Sequence, residues 1–129
     1  MTIKENLIYT RYKLGESFNV ANELKEVLAY KEKLNFPTIA IQTKIRLAET
    51  LNDLNRNKEA YKFAKEALEQ AKELRVVKEQ LITLKLLAEI DYSQAFKYLD
   101  EYIQLNDSII AQERVQRDEF ANLMRSLLR

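Results

Sequence analysis

The chain has 129 residues, with 21 Lys and Arg against 20 Asp and Glu, and neither Cys nor His. Both charge signs are interspersed along nearly every segment, so no basic field exists to collect phosphates, and nucleic acid is not expected as a ligand. Without thiol or imidazole the chain lacks the common metal ligands and the commonest general base, so no metal, no cofactor and no enzymatic activity are expected.

One Gly and one Pro in the whole chain, beside abundant Leu, Ala, Glu and Lys, predict an all-α fold. The sequence also falls back on itself at an offset of 40 residues: Leu7, Leu14, Lys25, Glu26, Leu28 and Leu34 return as Leu47, Leu54, Lys65, Glu66, Leu68 and Leu74. Further along, Thr43 returns as Thr83, and Leu47-Ala48-Glu49 as Leu87-Ala88-Glu89. A period of that length corresponds to stacked helical hairpins, which bury their apolar faces only against one another. Three hairpins are expected at residues 2–35, 38–75 and 76–110, followed by a C-terminal helix over 111–129, about seven helices in all.

In chain order, the first hairpin reads as a helix over Thr2–Leu14, a turn at Gly15-Glu16-Ser17 with Ser17 as cap, and a second helix to Leu34. Asn35-Phe36-Pro37-Thr38 breaks the pattern, because Pro disfavours helix in the preceding residue, and Thr38 is the expected cap of the next helix. The second hairpin covers Thr38–Leu54 and, after Asn55-Arg56-Asn57, a helix to Arg75 with Ala60, Ala64, Ala67, Leu68, Ala71 and Leu74 on one face. Small residues on such a stripe let helix axes approach closely.

The third hairpin carries Leu81, Leu84, Leu87 and Ala88. It turns at Asp91-Tyr92-Ser93, where Asp91 and Gln94 have the spacing of a capping box. Ala95, Leu99, Tyr102, Ile103 and Ile109 or Ile110 are its expected buried stripe. After Asn106-Asp107-Ser108 a polar stretch leads to Phe120, Leu123, Met124, Leu127 and Leu128, an amphipathic stripe that something must cover. Two readings stay open: the helix folds back as a cap over the last hairpin, or it projects as a linker or self-association helix giving a homodimer. No stretch reaches 18 uncharged apolar residues, so no membrane insertion is expected. The expected compartment is the cytoplasm, or the periplasm if the chain belongs to a membrane-anchored sensor.

These residues resemble the tetratricopeptide repeat family, with W-x2-L-G-x2-Y in the first helix of each unit and A-x3-F with a later Ala in the second. In the second repeat Leu47, Ala48 and Leu51 stand in the Leu, Gly and Tyr places, Lys44 in the Trp place, and Ala60, Ala64 and Ala67 match the second helix. In the third, Leu87, Ala88, Ala95 and Leu99 correspond; in the first, Leu7, Leu14, Gly15 and Val20 do, with Ile8 in place of the small residue. The family's Trp and closing Pro are absent. The long repeat and the stretch from Tyr98 to Ile109 look like the final repeat of bacterial signalling proteins, in which a solenoid precedes a linker helix and an output module.

The resemblance implies an α-α superhelix whose first helices line a concave groove for a protein or peptide. At 40-residue spacing the candidates are Glu5, Ile45 and Lys85, then Tyr9, Glu49 and Glu89, then Tyr12 and Asn52, with Arg46 adding a hydrogen-bond donor. Glu5, Glu49 and Glu89 are expected to make that face acidic, which favours a basic or neutral segment. The resemblance also admits a receptor for a short signalling peptide. A purely structural oligomerisation or spacer element is the remaining reading.

Overall fold

A computed structural model describes residues 3–13 and 20–128, and the side chains of these except residues 3, 9 and 11–13. The expected turn at Gly15, the cap at Ser17 and the end of the first helix at Leu14 lie outside the described residues. All regular structure within them is helical: α1 (Ile3–Lys13), α2 (Val20–Lys33), α3 (Pro37–Asp53), α4 (Asn57–Leu74), α5 (Val77–Ile90), a 3₁₀ turn (Tyr92–Gln94) and α6 (Ala95–Leu127). Each α-helix packs against its neighbours in sequence, and α3 also touches α5.

Three of the corners share one geometry. Asn35, Asn55 and Arg75, spaced 20 residues apart, adopt left-handed backbone with φ of 59°, 62° and 57°. In each, the next amide donates five residues back: Phe36 to the Lys31 carbonyl at 3.3 Å, Arg56 to Leu51 at 2.8 Å and Val76 to Ala71 at 3.1 Å. The left-handed residue itself donates three back, to Glu32, Asn52 and Lys72 respectively. These paired bonds satisfy carbonyls that a helix end leaves open. Asn tolerates this backbone better than most residues, which explains two of the three positions. Thr38 is not the cap of α3: Phe36 occupies that place and Pro37 is in the first turn, where its missing N–H costs nothing. The fourth corner instead tightens through the 3₁₀ turn, in which the Ser93 hydroxyl donates to Asp91 Oδ1 at 2.6 Å.

Two apolar clusters meet on either side of α3 and α4. One gathers Ile8, Val20, Leu24 and Leu28 with Ala40, Leu47, Leu51 and Ala60; the other gathers Ile41, Ile45 and Ala48 with Ala64, Leu68, Leu84, Leu87 and Tyr98. Ala60, Ala64, Ala67 and Ala71 are all fully buried, as the alanine stripe predicts, whereas Leu74 is 42 % exposed. Repeat-related residues do related work. Thr43 and Thr83 are both buried and donate to the carbonyls four residues back, of Ile39 and Glu79. Leu47 and Leu87 are buried, but Leu7 is 57 % exposed and Ile8 is buried instead, so the first unit turns its face by one residue where a bulky side chain replaces Ala48 and Ala88.

The third unit departs further from expectation. Leu99, Ile103 and Ile110 are exposed, and the side of α6 that meets the core carries Tyr98, with Tyr102 and Leu105 partly buried. Tyr98 is 1 % exposed, and its hydroxyl is 3.1 Å from that of Tyr61 on α4. Two apolar stripes run side by side on α6, and this hydroxyl pairing accompanies the one that is chosen. Nor does the helix break at Asn106-Asp107-Ser108. It runs unbroken for 33 residues, so the described residues hold six α-helices rather than seven.

Replacing Ala67 with Leu forces bulk into a site with no free volume, and urea unfolding should register a loss of about 1–3 kcal/mol. Burial above all, then the bond with Tyr61 and the nearby Asp91 and Glu101 charges, holds the Tyr98 phenol well above its ordinary value of 10.0. The folded state therefore keeps a proton that the unfolded chain releases, a contribution complete below about pH 10 and lost as the pH rises past it. Chemical-denaturation midpoints from pH 8 to 11 should fall more steeply for the parent than for Tyr98→Phe; parallel curves would exclude this role.

Candidate functional site

Because α3 and α5 touch, the outward sides of the two helices enclose a groove. One section, of about 370 Å³, is lined by Gln42, Ile45, Arg46 and Glu49 from α3 and by Lys78, Glu79 and Ile82 from α5. A second, of about 310 Å³, follows along α5 and is lined by Glu49, Ile82, Lys85, Leu86 and Glu89. The two share Glu49 and Ile82 and so form one continuous concavity. Ile82 is 38 % exposed and gives the groove an accessible apolar point, while Ile45 is buried at its floor. The Gln42 amide donates to Glu79 Oε1 at 3.4 Å and so bridges the two walls.

Of the residues singled out in the sequence, Ile45, Arg46, Glu49, Lys85 and Glu89 come together here. Asn52 is half-buried one turn beyond Glu49 and does not line the groove. Tyr9 and Tyr12 fall within α1, and their side chains lie outside the described residues. Glu5 is not on this face at all. It is fully buried, and its carboxylate pairs with the Lys31 ammonium and lies 3.1 Å from the Thr43 hydroxyl oxygen. The groove thus combines Arg46, Lys78 and Lys85 with Glu49, Glu79 and Glu89, and the expected acidic bias is replaced by matched charge. Sequence reasoning missed Lys78, Glu79 and Ile82. The signal was available, since Lys78, Ile82, Lys85 and Glu89 follow one helical face in steps of three and four residues.

Two buried ammonium groups lie outside the groove. Lys31, which pairs with Glu5, also donates to Thr43 Oγ1 at 2.9 Å, so one cluster joins α1, α2 and α3. Lys44 donates to Gln70 Oε1 at 2.9 Å and lies 3.2 Å from Glu32 and 3.6 Å from Glu66. Both cations are enclosed by partners from neighbouring helices, as buried charge requires. On the surface, Glu59 accepts from Arg56 and from Lys25 of α2, and these bonds, Arg56 first, hold its carboxyl below the usual range.

The C-terminal candidates lie on the far half of α6. Phe120, Leu123, Met124, Leu127 and Leu128 are 64, 55, 38, 68 and 79 % exposed, and from Ala111 to Leu128 only Ala121 is even half-buried. The stripe is not covered by folding back on the preceding helices: it continues the unbroken α6 and stays exposed. Among the described residues no group of three or more Asp and Glu is placed to hold a metal ion, and no helix is long and apolar enough to cross a membrane. No family model, curated protein or solved structure matches the chain.

Removing one member of the buried pair takes the opposite charge away from the other. Lys31→Met should cost about 3–5 kcal/mol in urea unfolding, and Glu5→Leu added to it should recover much of that loss. A double variant no more stable than the single would show that the two side chains act separately.

Proposed function

We propose that the chain is a non-catalytic scaffold of tetratricopeptide-like hairpins that holds a protein or peptide segment in the groove between α3 and α5. The observation that carries this reading is the groove itself. Ile82 supplies an apolar anchor point between rows of polar groups, the arrangement by which interfaces combine affinity with register. Three cations and three carboxylates along the walls suit a segment of mixed or neutral charge, because a uniformly charged one meets its own sign at three of the six. A place as the interaction segment of a bacterial signalling or regulatory protein follows from the resemblance of Tyr98–Ile109 to the last repeat of such proteins. A second reading, a structural self-association element, is favoured by the exposed far half of α6.

Selection of short random peptides displayed against the full chain tests the groove. Recovered peptides should bind the parent and lose roughly tenfold or more in affinity on Ile82→Asp and on Glu49→Lys, with the helical circular dichroism unchanged. Binders indifferent to both substitutions, or no binders at all, would overturn the groove reading. Self-association without captured peptide would support the structural one.

A further inference from the structure

The far half of α6 carries exposed apolar residues that the groove leaves unexplained. A seam in alternating steps of three and four residues runs along this helix from Ile103 to Leu127, with Asn106, Ile110, Phe120 and Met124 within it. Ile103, Phe120 and Leu127 are 56, 64 and 68 % exposed. The seam is distinct from the side that Tyr98, Tyr102 and Leu105 turn toward the core, so that packing leaves it open. Its period is that of helices which pair along a coiled-coil seam.

Two charges occupy the midpoint of the seam, Glu113 and Arg117. Together with Phe120 they line one shallow concavity on the helix surface, so they present the same face as the apolar residues. From this arrangement we infer that the occupant of the seam is a second copy of the chain, running antiparallel. Parallel pairing in register brings Glu113 against the partner's Glu113 and Arg117 against the partner's Arg117, two like-charge contacts in the middle of the interface. Antiparallel pairing about a twofold axis midway between the two positions brings Glu113 against the partner's Arg117, and the symmetry makes that contact twice. The same register sets Ile110 against the partner's Phe120 and Ile103 against the partner's Leu127. Asn106 then lies opposite the partner's Met124, the one polar–apolar contact of the seam. Apolar residues meet in either orientation, but the seam is self-complementary in charge only in the antiparallel one.

Light scattering during gel filtration of the full chain, over a range of concentrations, tests the inference. The parent should have twice the 15.2 kDa chain mass. Glu113→Arg alone and Arg117→Glu alone should each raise the dissociation constant roughly tenfold or more, because each replaces two attractive contacts by two repulsive ones. The double swap Glu113→Arg with Arg117→Glu should restore the dimer. Both positions are solvent-exposed, so helical circular dichroism should stay at the parent level. A monomeric parent at every concentration would overturn the inference. So would a dimer insensitive to both single swaps, which indicates another surface, or single-swap losses that the double swap fails to repair.

Discussion

The distance between helices is the constraint on which this structure depends, and the buried alanines of α4 set it. Ala60, Ala64, Ala67 and Ala71 let α3 on one side and α5 on the other approach the same helix closely. That approach brings α3 and α5 within reach of each other. The groove is therefore a product of what α4 lacks: with larger side chains on that stripe, α3 and α5 would diverge, and Glu49 and Ile82 would no longer share a wall.

Polar groups at the seams between helices supply direction where apolar contact supplies only adhesion. Two methyl-lined surfaces slide against each other at little cost, but a buried ammonium has few acceptable positions. Lys31 links three helices through Glu5 and Thr43, and Lys44 reaches from α3 to Glu32 of α2 and to Gln70 and Glu66 of α4. These charges lie at the junction of the first and second units, where the repeat is least regular and Ile8 replaces the small residue of the later units.

Much of the fold was legible because it is written periodically. The 40-residue offset marked Thr43 and Thr83 as equivalent, and both prove to be buried with the same backbone bond. Asn35 and Asn55 marked corners without glycine, since an amide side chain tolerates left-handed backbone; Arg75 carried no such mark, and only the spacing of 20 residues places it with them. The failures occur where two local answers are nearly equal. On α6 the stripe through Tyr98 and the stripe through Leu99 lie one residue apart, and the buried one brings the Tyr98 hydroxyl to a partner 37 positions away in sequence. Glu5 was placed in the groove by its 40-residue spacing to Ile45 and Lys85; it is buried instead, paired with Lys31 across two helices, which no local pattern encodes. Asn106-Asp107-Ser108 had the composition of a turn, yet helix on both sides carried the backbone through. Within the groove, Ile45, Glu49, Lys85 and Glu89 were legible from the repeat and Arg46 as a donor beside them, while Lys78, Glu79 and Ile82 depended on how α5 is set beside α3.

Packing confined almost wholly to sequence neighbours also bears on how such a chain reaches its native state. Most contacts join helices separated only by a corner, so the loop to be closed before a contact forms is short, and the entropy of closing it grows only slowly with length. Chains of this kind have low contact order, the topological property that goes with rapid folding. Order can begin at any adjoining pair and spread one helix at a time in both directions. The corners at Asn35, Asn55 and Arg75 then act as the hinges of a zipper, each halting one helix and aiming the next before any distant part of the chain has taken shape.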